Sequence, residues 1–189
     1  MKRAEAVLAN VFGAIFLVLS LVVTVETLAR KLFTFSIQGA DELAGYSLAI
    51  GSTLAFSLAL AGRNHIRVDV FHELFPRGMK AALNWISIVL LAAMAILFVA
   101  VSWRVVAESQ LYRSTAQTPW ATPLVYPQAL WYAGLVLFMV VAIGYAARAT
   151  FLLAQRRIDE LNDEFHPKSA KEELKEELAD FAQRRAEPK

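Results

Sequence analysis

The side chains best able to do chemistry lie close together in one short stretch, Arg63 to Pro76, where His65, Asp69 and His72 stand at i, i+4 and i+7 and Glu73 follows. On a helix this spacing puts imidazole and carboxylate groups on one face, a pattern that could suggest a metal site. Side chains two turns apart on one helix rarely converge on an ion without a second element, so the pattern points instead to a hydrogen-bonded His65–Asp69 pair fixing a bend in the chain. Other reactive sets are missing. The chain has no Cys, which excludes disulfides, thiolate catalysis and Cys-ligated metals. Nor does it contain a Gly-rich phosphate loop, a Ser-His-Asp set or a His-Glu-x-x-His helix.

Two further charge pairs draw attention because they border apolar sequence. Glu26 precedes Arg30 by one helical turn, and Arg104 precedes Glu108 by the same step. Residues at i and i+4 share a helix face, so each pair is expected to neutralise itself near a membrane headgroup region or to receive an external partner.

The elements that must carry these residues are four long apolar runs, about 6–28, 43–62, 81–106 and 130–153. Each has the roughly 20 residues that a helix needs to cross about 30 Å of hydrocarbon. Because lipid offers the backbone no hydrogen-bond partners, such runs must be helical. Nothing charged lies deep within any run, which argues against a proton relay or ion pathway in this chain alone. A haem-holding anchor would need His within facing helices, whereas His65 and His72 sit between runs two and three and His166 lies beyond run four.

Positive charge sets the expected orientation. Lys2, Arg3, Arg63, Arg67, Arg77, Lys80, Arg156 and Arg157 fall on one side, against Arg30, Lys31, Arg113 and Arg104 on the other. The first side is therefore cytoplasmic, with both termini and the middle loop, and the loops at about 29–42 and 107–129 face outward. Hydrophobic residues make up 57% of the 189 and charged ones 19%, with a mean hydropathy of +0.45, as a membrane protein requires. The net charge of +2 does not imply nucleic acid, because the basic residues are spread over loop ends and lie on no common face. The first run exceeds a signal-peptide core and lacks a small-x-small cleavage site before Arg30-Lys31, so it reads as an uncleaved span.

The soluble stretches carry their own patterns. In the middle loop Ile66, Val68, Val70, Phe71, Leu74 and Phe75 cover a broad face opposite His65, Asp69, His72 and Glu73, which predicts an amphipathic helix lying on the cytoplasmic leaflet and ended by Pro76. Asp41 and Glu42 precede span two, where the helix macrodipole favours acidic groups. Thr118 to Trp131 leads into span four with three prolines and three aromatics. The prolines suggest an extended approach, and Trp120, Tyr126 and Trp131 an interfacial aromatic belt. After Pro167, Ser169-Ala170-Lys171-Glu172 reads as a capping box opening a charged, solvated helix to about Arg185.

Gly39-Ala40-Asp41-Glu42-Leu43 before span two, His65-Ile66-Arg67-Val68-Asp69 after it, and Thr118-Pro119 with Pro127-Gln128-Ala129-Leu130-Trp131 before span four occur in that order along a four-span chain. In this the sequence, over about residues 5–155, resembles the small membrane subunit of tripartite ATP-independent periplasmic transporters. The resemblance implies a scaffold that braces a much larger multi-span subunit, which would hold the substrate and sodium sites, and a soluble periplasmic binding protein serving both. It implies no catalytic residue, cofactor or metal in this chain. It places Glu42, His65 and Asp69 at family motif positions.

The expected protein is thus all-α: an integral membrane four-helix domain at 1–155, a cytoplasmic interfacial helix, and a charged helical tail at 156–189. Its expected role is that of a non-enzymatic scaffold for ion-coupled uptake of an organic acid across the bacterial inner membrane. A membrane-anchor subunit of a redox enzyme is the competing reading. Glu26, Arg30, Asp41, Glu42, His65, Asp69, Arg104, Glu108 and Trp131 are the candidate partner-interface or structural residues of the scaffold.

Overall fold

The computed structural model describes residues 2–36, 39–61, 75–165 and 178. Within them the chain is helical, with α1 at Lys2–Phe33, α2 at Ala40–Ala61, α3 at Arg77–Leu111, α4 at Val125–Ala154 and a short α5 at Ile158–Phe165. Four of these helices are long and apolar enough to span a membrane. At 1.5 Å per residue the 35-residue α3 is about 52 Å long, so it outruns the hydrocarbon and must project or tilt. The expected amphipathic helix of the middle loop and the tail helix after Pro167 lie outside the described residues.

Each long helix starts a few residues before its apolar run, and α1 and α3 also end several residues beyond theirs. Glycine is absent from three of their ends, and Thr34, Arg113 and Arg156 adopt the left-handed conformation there instead, with φ of 54°, 49° and 57°. After α3 the Ser114 N–H reaches the Ser109 carbonyl at 3.0 Å, and after α4 the Arg157 N–H reaches that of Leu152 at 3.0 Å, so the last carbonyls are closed by the chain itself. The approach to span four differs from expectation. Pro127 lies inside the first turn of α4 and not in an extended segment. A first-turn N–H has no intrahelical acceptor, so proline there costs little.

The long helices stand side by side in the order α1, α2, α4, α3, and α5 lies against α3 and α4. This row is one helix thick, and much of its apolar surface faces outward. The most apolar stretch of α1 contributes no residue to the interior. Helices apolar all round have no face marked for a core, and in lipid their association depends on close packing at small residues. Accordingly Ala81, Ala92 and Ala95 of α3 and Ala142 and Ala149 of α4 are buried between those two helices. The Phe16 ring of α1 fills the notch over Gly51 of α2, and Thr53 of α2 sits over Gly134 of α4. The main hydrophobic cluster lies toward the Arg77 end of the row, where Ile88, Leu152, Leu161 and Phe165 join it.

Candidate functional site

The opposite, Gly39 end of the row carries most of the candidate residues, and Glu42 is at its centre. Gly39 adopts φ +105°, a conformation rare for L side chains, and so turns the chain into α2 with the Leu43 N–H on its carbonyl at 3.0 Å. Glu42 then falls in the first turn, where the macrodipole favours its charge, and it is 9% exposed. Tyr46, one turn on, donates its hydroxyl to Oε1 at 2.7 Å. Thr118 donates to Oε2, and Thr122 lies against the same carboxylate. The loop between α3 and α4 is thereby drawn onto α2. That loop is ordered by its own bonds: Thr115 bridges Pro123, and the Ala116 N–H meets the Thr122 carbonyl at 2.9 Å. Trp120 lays its indole across Gly39, so close that a Cβ added there would stand 2.6 Å from the ring.

Below this cluster an apolar groove of about 760 Å³ runs over α2 between α1 and α4. Val11 and Ile15 form one wall, Leu130 and Leu137 the other, with Glu42 and Trp120 at its mouth. From Glu42 to Leu54 it follows about 18 Å of helix, more than half the hydrocarbon thickness. With hydroxyl donors already committed to its carboxylate, Glu42 acts as a structural acceptor tying loop to helix.

The other expected residues fall as follows. Glu26 is buried near the end of α1, and Ser36 donates to it at 2.8 Å. The anticipated i, i+4 ion pairs are not formed: Arg30 is exposed, and Arg104 and Glu108 are both exposed on α3 without a bridge. Ion pairs are seen instead at Arg77–Asp159, Arg148–Glu164 and Arg157–Glu160, each on an acid of α5. Arg104 and Glu108 are both exposed and gain little from pairing, whereas the buried Glu26 accepts from Ser36. Asp41 is exposed in the first turn of α2, and Trp131 is half-buried on α4. The ring pair bridging α3 and α4 is Trp103 with Tyr132, centroids 5.7 Å apart. His65, Asp69 and His72 lie outside the described residues, and within these no three metal-ligating side chains converge.

Sequence reasoning missed Thr118, Thr122 and Ser36 as donors to buried carboxylates, and α5 as a packed element. The Glu42–Tyr46 spacing of four was a usable signal; the hydroxyls far along the chain left none.

A family model described as "Tripartite ATP-independent periplasmic transporters, DctQ component" matches residues 19–151, more than two thirds of the chain. No curated protein matches it. The matched family comprises transporter components, not enzymes, and gives no support to a redox-anchor reading.

Proposed function

Because the chain belongs to the DctQ component family of tripartite ATP-independent periplasmic transporters, we propose that it is the small scaffold subunit that braces a large multi-span transport subunit. Together with a soluble periplasmic binding protein the two carry out ion-coupled uptake, of an organic acid, across the bacterial inner membrane. The sodium and substrate sites belong to the large subunit. In this reading the Arg77 end of the row is cytoplasmic, both termini lie there, and the Gly39 end faces outward.

The observation that carries the reading is the open row of helices. A lone transporter needs a polar midplane site enclosed by its own helices, often where helices break. Here the spans are unbroken helices one layer thick, with no charged residue at mid-span and broad apolar faces left uncovered. Such faces suit protein–protein packing within the bilayer. Among the candidate residues, Glu26 and Glu42 maintain the outer end, while Arg30, Asp41, Arg104 and Glu108, exposed there, are available to partners.

Two experiments test the proposal. The chain, tagged and expressed with the large membrane subunit of its transporter, should co-purify with that subunit and be required for its uptake activity. Reconstituted alone in proteoliposomes, it should neither bind nor transport solute. Sodium-driven uptake by the isolated chain would overturn the scaffold reading.

A further inference from the structure

At the Arg77 end of the row the start of α3 and the end of α4 are joined through α5. Eight residues are too few for a stable free helix, so its packing must hold it. Ile158, Leu161 and Phe165 recur on one face; Leu161 is fully buried, and the Phe165 ring meets Tyr145 of α4 edge-on at 6.1 Å. An amide chain crosses the same contact. Asn84 of α3 is 2% exposed and donates to the Asn162 Oδ1 at 3.2 Å, and Asn162 in turn donates to the Arg77 carbonyl at 3.1 Å. Asn162 therefore grips α3 at two points about two turns apart, while Glu164 meets Arg148 of α4 at 3.2 Å. Beside it the Trp85 Nε1 donates to Thr150 Oγ1 at 3.0 Å, a direct link from α3 to α4.

We propose that α5 is a clasp setting the separation of α3 and α4 at this end of the row, that Asn162 is its positioning residue, and that uptake by the assembled transporter requires the clasp closed. The last clause rests on the scaffold reading. Hydrophobic contact alone can slide along a helix, whereas a side-chain amide with a donor and an acceptor both engaged specifies one register. The loop tied to Glu42 closes the α3–α4 pair at the other end. A brace must hold its shape while its partner moves, and a pair of helices clasped at both ends does so.

The absence of native Cys allows a direct test in the assembled complex. Spin labels at Met79→Cys and Ala147→Cys report the clasped end, and labels at Gln110→Cys and Ala129→Cys the other. Asn162→Leu should broaden the first distance distribution at least twofold and leave the second unchanged. Uptake per assembled complex should fall several-fold. Asn84→Leu, which removes the Asn84–Asn162 bond but leaves Asn162 on the Arg77 carbonyl, should broaden the first distribution in the same direction and by less. A first distribution that stays narrow in both single variants would sink the clasp, as would equal broadening at both ends, which signals general loosening. Uptake at the parental rate despite a broadened first distribution would sink its role in transport. Failure of the scaffold reading itself is seen separately, as failure of the parent chain to co-purify with the large subunit.

Discussion

Thr118 donates its hydroxyl to Glu42 across 76 positions of sequence, closing the α3–α4 loop onto the first turn of α2. The carboxylate also accepts from Tyr46, so one acid holds two segments together. Thr118→Val should cost about 1 kcal/mol, and Glu42→Ala clearly more, since several hydroxyls lose their acceptor at once. Thermal unfolding of the purified protein checks both. The double variant should show a clear coupling energy, and strict additivity would mean that the two groups do not interact.

Gly39 is required twice over, by its φ of +105° and by the indole of Trp120 above it. Gly39→Ala should lower stability by more than about 1 kcal/mol, and Trp120→Ala added to it should recover only the steric part of the loss. Unfolding midpoints of the two variants measure the split.

The helical glycines should divide into two classes. Gly51 and Gly134 are notches occupied by Phe16 and Thr53, so Gly51→Ala and Gly134→Ala should loosen the row and lower the unfolding midpoint. At Gly13 and Gly144 a methyl group would meet nothing within 4 Å, so alanine there should raise helix stability by up to about 1 kcal/mol. Equal effects at all four would contradict the packing described.

Arg113 ends α3 in the left-handed region at φ 49°. Arg113→Gly removes the Cβ conflict without touching the Ser114–Ser109 bond, and it should stabilise by about 1 kcal/mol. A drop in the melting midpoint would show that the guanidinium makes a contact worth more than the strain.

Orientation is tested by thiols in a chain that has none. Gln117→Cys, exposed in the loop between α3 and α4, should react with an impermeant reagent added to spheroplasts, and Ser169→Cys should react only after lysis. The reverse pattern would invert the topology inferred from the Lys and Arg distribution.

The four spans were legible because hydrocarbon leaves a long apolar segment no alternative to the helix; their number and order, and the acidic first turn of α2, follow from hydropathy and the macrodipole, both local properties. The family was legible for a similar reason, in short motifs at the ends of spans. The i, i+4 spacing of Glu26–Arg30 and Arg104–Glu108 permits a contact without requiring one: Arg104 and Glu108 are exposed, and the buried Glu26 takes Ser36 as a donor. Beyond these, tertiary structure decided. Helices that are apolar on every side do not announce their neighbours, so the order α1, α2, α4, α3 depends on where Phe16 meets Gly51 and Thr53 meets Gly134. The partners of Glu42, the groove below it, and the docking of α5 through Asn84 and Asn162 likewise join residues far apart in sequence. Composition and periodicity state what each segment must bury or expose; which buried group meets which is settled only by shape and hydrogen-bond complementarity once the helices stand together.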